Sequence, residues 1–225
     1  MTAAHVIGCD VGSQGTNAAL YDADGTLVDS AYEAYDLSFP NPGWAEQDPD
    51  LWTAAVERAC GRLVAACPGG APAIRALSFG SQLDGMVVCD AAWRPLRPAM
   101  IWMDRRAEAQ SAALEQRISP SEFYDEVGAN LDSSHAVFKA LWVRDEEPDL
   151  WGRAAHLMPP GAYVLRHVSD VDAVDYSNAS SLALLDPRTR TWSKRVLDLV
   201  EVDETWLPAL DAATTSVGTI TPAFA

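Results

Sequence analysis

A turn with two glycines lies between two short apolar segments near the amino terminus, and it constrains the fold more than any other feature. The turn is Asp10 to Thr16, which reads DVGSQGT. The flanking segments His5 to Cys9 and Asn17 to Tyr21 are β-prone, and Asp24-Gly25 is a hairpin signal that leads into a third strand over Thr26 to Tyr35. The sequence therefore predicts an antiparallel meander of three strands whose first connection carries the turn.

The composition of this turn is typical of a loop that binds phosphate. Its glycines let the backbone bend tightly and point successive N–H groups inward, and its two hydroxyl side chains are further donors. Asp10 adds a carboxylate suited to Mg²⁺ or to a metal-bound water. The turn lacks the Gly-Lys-Ser/Thr ending and the following helix of a Walker loop, and a Rossmann turn also opens a helix. A hairpin turn with an incidental aspartate is the alternative. The predicted contacts to phosphate are Asp10, Gly12, Ser13, Gln14, Gly15 and Thr16.

The rest of the chain mixes predicted strands with predicted helices. A helix capped by Asp48 is predicted to run to about Ala66. A buried strand is predicted over Ile74 to Phe79, and Val171 to Ala183 is a less helical interruption of the second half. The other predicted elements are a strand over Met86 to Cys89 and helices over Ala107 to Gln116, Ser121 to Val127, Val137 to Asp145, Gly161 to His167 and Ser193 to Leu199. This order favours an α/β, ribonuclease-H-like core with helical insertions.

Charge and composition narrow the classes of partner. The chain has 32 acidic and 16 basic side chains and a formal net charge of −16, which repels nucleic acid and anionic membranes. The four cysteines and four histidines are dispersed, without the paired spacing of a zinc site. The apolar stretches are too short to cross a bilayer. We therefore expect a cytoplasmic protein that binds neither nucleic acid nor membrane.

Five further segments follow DVGSQGT in an informative order. They are GWAEQDPDLW at Gly43 to Trp52, SFGSQLDG at Ser78 to Gly85, LRPAMIWMDRR at Leu96 to Arg106, Lys139 with Leu141-Trp142-Val143, and Asp175 with the segment up to Leu185-Asp186. Together the six segments resemble the N-terminal domain of the FGGY carbohydrate kinases, most closely the xylulokinase-like branch. This resemblance implies the actin-like ATPase fold, an α/β, ribonuclease-H-like domain with a mixed sheet and helical insertions.

The resemblance also implies a division of labour between two domains. The first would hold ATP and Mg²⁺ at the Asp10 turn and form much of a sugar pocket. The second would supply most adenosine contacts and the catalytic aspartate, so we expect the 225 residues alone to be inactive. Within them we expect a ribonuclease-H-like core over about 1–118 and a helical elaboration over about 119–225, with the C-terminal domain absent. The sequence leaves open whether the protein forms a homo-oligomer.

Two other functions are weighed against this one. The first is a stand-alone sugar-binding or assembly module that has lost phosphotransfer. The second is an aspartyl-phosphate phosphotransferase with Asp10 as nucleophile. Such enzymes usually carry a second acid two residues later, where this chain has Gly12.

The resemblance places the substrate wall at Gln82-Leu83-Asp84-Gly85 together with Trp102, Asp104 and His135. Asp84 can accept hydrogen bonds from two vicinal hydroxyls, and the face of Trp102 can pack on the carbon side of a polyol. Each residue also has an ordinary structural interpretation. Trp102 can be interpreted as a core side chain, Asp104 as a helix cap and His135 as a surface or core histidine, although the place of Trp102 in the segment IWMDRR favours the contact with substrate.

Three positions depart from the family pattern. Asn17 stands where relatives commonly carry a lysine, which removes a cation beside the phosphate loop. Leu83-Asp84 replaces the Met-His pair of xylulokinases, exchanging a side chain that can donate for one that only accepts. Pro160-Gly161 replaces a polar residue followed by aspartate, and we draw no site from it. The predicted acceptor is therefore a xylulose-like ketose or an alditol, without D-xylulose itself being fixed.

Overall fold

The fold is built on a four-stranded mixed sheet, seen in a computed structural model that describes residues 4–225. In chain order the strands are β1 His5–Val11, β2 Gly15–Asp22, β3 Leu27–Ala34, β4 Glu46–Gln47, β5 Ile74–Ser81, β6 Val87–Cys89, β7 Ala99–Met100, β8 His156–Met158, β9 Ala173–Asp175, β10 Leu185–Asp186, β11 Thr191–Trp192 and β12 Ala209–Asp211. The helices are α1 Pro49–Ala66, α2 Glu108–Glu115, α3 Pro120–Val127, α4 Ala136–Glu146, α5 Pro148–Trp151, α6 Pro160–Ser169, α7 Tyr176–Ser181 and α8 Lys194–Val200.

The predicted meander of three strands is confirmed. The sheet order is β3-β2-β1-β5, with β2 antiparallel to β1 and β3, and β5 parallel to β1. Asp10 on β1 lies opposite Asn17 on β2 and Gly80 on β5. The hairpin between β2 and β3 turns at Gly25, whose φ of 80° favours glycine.

The predicted helix after residue 48 is confirmed as α1. The Asp48 side chain accepts a hydrogen bond from the Asp50 N–H at 3.0 Å, and Pro49 is the first helical residue, the arrangement that caps a helix start. α1 packs on β1 and β2 through one buried face. The buried side chains of that face are Trp52, Ala55, Val56, Ala59 and Leu63. Because strand side chains alternate between faces, Asp10 lies on the opposite, open face of the sheet.

The prediction that residues 74–79 form a buried strand is only half right. The strand exists as β5, but Ala76, Ser78 and Gly80 are exposed. β5 is the outer strand of the sheet, and α6 packs against it. An outer strand with one open face reads as apolar in the sequence without being buried on both sides.

Residues 171–183 are more regular than the sequence predicts. They contain β9 and α7, and the Asp175 side chain accepts hydrogen bonds from the N–H groups of Ser177 and Asn178 at 2.9 and 3.1 Å. This cap begins α7. The strand near residue 88 is also confirmed, but as β6 it pairs with β8 rather than with the central sheet.

The remaining predicted helices, α2, α3, α4, α6 and α8, begin and end within one or two residues of their predicted bounds. One cluster of buried apolar side chains extends from Ile7 to Leu207 and crosses the predicted division near residue 118. The two predicted regions therefore share one apolar cluster, and their division near residue 118 stays a prediction. Across residues 4–225, no helix combines the length and apolar character needed to cross a bilayer.

Candidate functional site

The carboxylate of Asp10 is exposed at the end of β1. It lines an open depression on the uncovered face of the sheet together with Asn17, Tyr32, Ser78 and Gly80. Within the described residues no ion pair engages Asp10, so its oxygen atoms are accessible to a ligand.

Three carbonyl groups of the turn, at residues 12, 13 and 14, accept hydrogen bonds from donors elsewhere in the chain. The Tyr35 hydroxyl donates to the Gly12 carbonyl at 2.6 Å, and the Gln47 amide donates to the Ser13 carbonyl at 2.8 Å. The Gln14 carbonyl accepts from the Tyr32 hydroxyl at 3.0 Å and from the Tyr35 N–H at 3.3 Å. Burial raises the pKa of Tyr35 to about 12, so this hydroxyl keeps its proton.

Because the carbonyl groups are turned toward these donors, two N–H groups of the turn are left for another partner. Gly12 uses its N–H to bond the Gly15 carbonyl at 3.0 Å. Within residues 4–225, the N–H groups of Ser13 and Gln14 donate to no protein atom. Successive unpaired N–H groups form a concave donor set that suits an anion.

The glycines of the turn serve a different purpose from the one expected. Neither Gly12 nor Gly15 has a positive φ, so neither is needed for an unusual backbone conformation. A Cβ on Gly15 would instead lie 2.5 Å from the Tyr32 ring, and one on Gly12 would lie 3.3 Å from the Gly15 carbonyl oxygen. Glycine is required because other atoms approach closely.

Thr16 does not offer its hydroxyl to solvent. The residue is fully buried, and its hydroxyl lies 3.4 Å from that of Tyr35. The expected contact of this side chain with phosphate is therefore not formed by the geometry seen here, because Thr16 supports Tyr35 from inside the fold.

Gly80 lies beside the Asp10 carboxylate, a position that the sequence analysis missed. Its strand position lies directly beside Asp10, and a Cβ at residue 80 would lie 3.7 Å from Asp10 Oδ1. Gly80 therefore keeps the space next to the carboxylate open. The parallel pairing of β1 with β5 brings them together, and no local pattern signals this contact.

Gly80→Val tests whether that space is used. In the full-length protein we expect Mg²⁺–ADP to bind about tenfold more weakly, because the branched side chain displaces a ligand held at Asp10. Calorimetric titration measures this affinity. Ala76→Val is the matched control, since Ala76 is exposed on the same face of β5 and lies opposite Val6 instead. Equal affinities of the two variants would contradict this role of Gly80.

A second group of side chains surrounds Asp84, which has the left-handed φ of 55°. Asp84 Oδ1 lies 3.0 Å from His135 Nδ1, and the Asp84 N–H donates to Ser181 Oγ at 3.3 Å. The ammonium of Lys139 donates to the backbone carbonyls of both Asp84 and Ser134. Asp84 and His135, two of the predicted substrate residues, are thus in contact, and the buried Lys139 binds the backbone on either side.

Lys139 is fully buried, and burial lowers its pKa to about 8, with the negative charges of Asp84 and Asp104 acting in the opposite direction. An ion in such a position is costly unless it is paired or hydrogen-bonded. Its two bonds to carbonyl groups tie the segment before α4 to the segment after β5. The sequence analysis noted Lys139 only as part of a family segment.

The remaining predicted substrate residues divide into exposed and buried ones. The Trp102 indole is 48% exposed and Leu83 is 44% exposed, so the interpretation of Trp102 as a core side chain is wrong. Trp102 follows β7 by two residues, and Asp84 precedes Met86, the partner of Met100, by two residues. Because this bridge is antiparallel, Trp102 and Asp84 lie beyond the same end of it.

Asp104 does not belong to the accessible wall. It is fully buried, pairs with Arg106 at 2.6 Å, and accepts a hydrogen bond from the Ala45 N–H at 2.7 Å. Arg106 in turn stacks 3.6 Å over the Trp44 ring. The predicted contact of Asp104 with substrate is corrected accordingly, because a carboxylate held by these partners fixes the loop and reaches no ligand.

Gln82 is buried and connects the two groups. Its side-chain amide donates to Gln47 Oε1 at 2.9 Å, and its N–H donates to the Val11 carbonyl at 2.9 Å. Gln47 is also bonded to Ser13. The Asp10 turn is therefore hydrogen-bonded through Gln47 to the Asp84 wall, the name used below for Gln82, Leu83, Asp84, Trp102 and His135.

The side chains around the Asp10 turn could hold Mg²⁺ only together with a ligand that supplies further oxygen atoms. In the part of the chain that the structure describes, no group of three His, Cys, Asp or Glu side chains could hold a metal by itself. Mg²⁺ commonly takes one or two carboxylates, with phosphate oxygens and water completing its octahedron. One exposed carboxylate beside free N–H groups matches that requirement.

Comparison with known proteins places this geometry in context. The model of the FGGY family of carbohydrate kinases, N-terminal domain, matches residues 5–225. A xylulose kinase of Escherichia coli K12 is 30% identical over 216 residues, which cover 96% of this chain and 44% of the relative. A structure named as a "xyloylose kinase" from Brucella ovis has a TM-score of 0.92 and 29% identity, over 97% of this chain and 46% of that one.

A gluconate kinase structure from Lactobacillus acidophilus has a TM-score of 0.93 at 24% identity, covering 99% of this chain and 44% of that one. This likeness shows the fold alone. The fold class predicted from the sequence is confirmed: an α/β domain of the actin-like ATPase type with a mixed sheet and helical insertions. The chain spans less than half the length of these relatives.

Proposed function

The chain belongs to the FGGY family of carbohydrate kinases, and from that premise we propose that it forms the phosphate- and sugar-binding half of an ATP-dependent kinase. The whole enzyme would transfer the γ-phosphoryl group of ATP to a hydroxyl of a xylulose-like ketose or an alditol. The observation that carries this proposal is the pair of free N–H groups at Ser13 and Gln14 next to the exposed Asp10.

The turn would bind the phosphates of ATP through those N–H groups. Asp10 would hold Mg²⁺ together with phosphate oxygens and water. When bound, the ion would neutralise negative charge on the transferred phosphoryl group. Asn17 lies directly opposite Asp10, so the lysine that relatives commonly have there would stand beside the ion, and this chain relies on backbone donors instead.

The Asp84 wall would bind the acceptor. His135 holds one carboxylate oxygen of Asp84, and the other is left to accept from a sugar hydroxyl. The cations near this wall are already engaged, Lys139 by two carbonyl groups and Arg105 by Asp132 at 2.6 Å. An acceptor with its own carboxylate would therefore meet the Asp84 charge uncompensated, which favours a neutral ketose or alditol.

The group that removes the proton from the acceptor hydroxyl would lie on the second domain, as the family resemblance implies. Residues 1–225 would then position the reactants without completing the reaction, and we expect them to release no ADP by themselves. Positioning and charge stabilisation account for most of the catalysis of phosphoryl transfer, so separating the two halves of the cleft removes nearly all of it.

A substrate panel tests the proposal. ADP release by the full-length protein is measured with pentuloses, hexuloses, alditols and gluconate, with Mg²⁺ and ATP present. We expect turnover with at least one neutral acceptor and little with gluconate. If none of the tested acceptors causes ADP release, the proposal is contradicted. If an acceptor binds but causes no ADP release, the result supports the stand-alone binding module.

Trp102→Ala tests the acceptor wall. We expect the KM for the acceptor to rise about fivefold to tenfold, since a stacking contact of an aromatic face contributes about 1 to 1.5 kcal/mol. The melting temperature should change little because the indole is half exposed. Tyr124→Ala, which removes a 55% exposed aromatic side chain from α3, is the control and should leave KM unchanged. An unaltered KM in Trp102→Ala would remove this residue from the site.

A further inference from the structure

Gln47, in β4, is a buried glutamine whose amide makes four hydrogen bonds. It is 2% exposed. Its Nε2 donates to the Ser13 carbonyl at 2.8 Å and to the Asp36 carbonyl at 3.3 Å. Its Oε1 accepts from Gln82 Nε2 at 2.9 Å and from the Trp52 indole N–H at 3.2 Å. The side chain thus lies between Ser13 of the Asp10 turn and Gln82 of the Asp84 wall.

These partners permit only one orientation of the two amides. Carbonyl oxygens only accept, and an indole N–H only donates, so Gln47 must direct its nitrogen toward Ser13 and its oxygen toward Trp52. Gln82 must then direct its own nitrogen toward Gln47. A reversed amide at either residue would leave buried groups of the same kind facing each other, which is costly.

The position of Gln82 is in turn linked to the acceptor wall. Its N–H donates to the Val11 carbonyl at the end of β1, and Leu83 and Asp84 follow it directly in the chain. A movement of the Ser13 carbonyl when phosphate occupies the turn would be transmitted through Gln47 to Gln82. The same path operates in the reverse direction when the acceptor moves Asp84.

We propose that Gln47 is a positioning residue that couples the two halves of the site, so that occupation of the turn by nucleotide raises the affinity of the Asp84 wall for the acceptor. This inference rests on the proposed function. Coupling between two binding sites is reciprocal, and 5- to 150-fold effects are usual. For a single hydrogen-bonded link we expect a factor of about 5 to 10.

The experiment measures four affinities in the full-length protein by calorimetry. A non-hydrolysable ATP analogue with Mg²⁺ and the best neutral acceptor of the panel are each titrated alone and in the presence of the other. Gln47→Met keeps the approximate volume of the side chain and removes all four hydrogen bonds. We expect the coupling factor to fall from about 5 to 10 in the wild type to about 1 in this variant.

Trp52→Phe is the matched control. It removes one hydrogen bond from the same amide but leaves the path from Ser13 through Gln47 to Gln82 intact, and we expect it to retain the coupling. If Gln47→Met does not fold, Gln82→Met interrupts the path from the other end and should also reduce the factor to about 1. A purely structural role of Gln47 would weaken both ligands without changing their coupling.

Three results would overturn the inference. They are a wild type without coupling, a folded Gln47→Met that keeps it, and a loss in Trp52→Phe as large as in Gln47→Met. Each of these leaves the proposed function standing, because both ligands still bind. Failure of the wild type to bind either ligand would contradict the proposed function and the coupling together.

Discussion

Asp10→Asn is expected to lower phosphoryl transfer by the full-length protein at least about 100-fold, the size of effect that follows from removing one preorganised electrostatic group. The amide that replaces the carboxylate keeps the shape of the side chain but is a poor ligand for Mg²⁺. Because the Asp10 carboxylate is exposed and makes no hydrogen bond or ion pair within residues 4–225, we expect the melting temperature to be unchanged.

Steady-state kinetics at saturating acceptor, with a thermal melt of each variant, check this result. Asp24→Asn is the control, since Asp24 is an exposed carboxylate at the hairpin between β2 and β3. Wild-type turnover by Asp10→Asn, or an equal loss in Asp24→Asn, would show that the carboxylate at the turn has no special part in catalysis.

Lys139→Met is expected to raise the KM for the acceptor by about tenfold or more. Methionine fills the buried space but leaves the Asp84 and Ser134 carbonyls without their donor, a cost of about 1–3 kcal/mol for each buried group left unpaired. Asp84 also occupies a left-handed conformation that costs about 1–3 kcal/mol unless its surroundings maintain it. We therefore expect the Asp84 wall to relax into a geometry that fits the acceptor less well.

The effect on stability should be smaller than these costs suggest. A buried ammonium is itself expensive, as its lowered pKa of about 8 indicates, and methionine removes that expense. Kinetics for both substrates and the melting temperature check the expectation, with Lys194→Met, at an 88% exposed side chain, as the control. An unchanged KM for the acceptor in folded Lys139→Met would contradict the supporting role of the lysine.

The local signals in the sequence predicted most of the elements. Short apolar, β-prone segments and the Asp24-Gly25 turn signal predicted the meander, and Asp48 and Pro49 predicted the start of α1. Each of these depends on residues that are neighbours in the chain. The fold class followed from their order and from the family segments.

The details of the site depend on contacts between distant parts of the chain, which a single sequence does not reveal. Tyr35 and Gln47 reach the turn from 23 and 34 residues away, and Gly80 meets Asp10 only through parallel pairing. The sequence also did not show whether each side chain points into the core or toward solvent. Asp104 and Trp102 are two residues apart, yet the first is buried in an ion pair and the second is half exposed.

We expect the N–H groups of the Asp10 turn to bind the phosphates of a nucleotide. The amide spectrum of the full-length protein, labelled with ¹⁵N-serine and ¹⁵N-glutamine and titrated with Mg²⁺ and a non-hydrolysable ATP analogue, tests this binding at the atoms concerned. We expect saturable shifts of the Ser13 and Gln14 amide signals, while those of Ser111 and Gln116, on and after α2, stay in place. Binding of the nucleotide without a change at Ser13 and Gln14 would contradict this expectation.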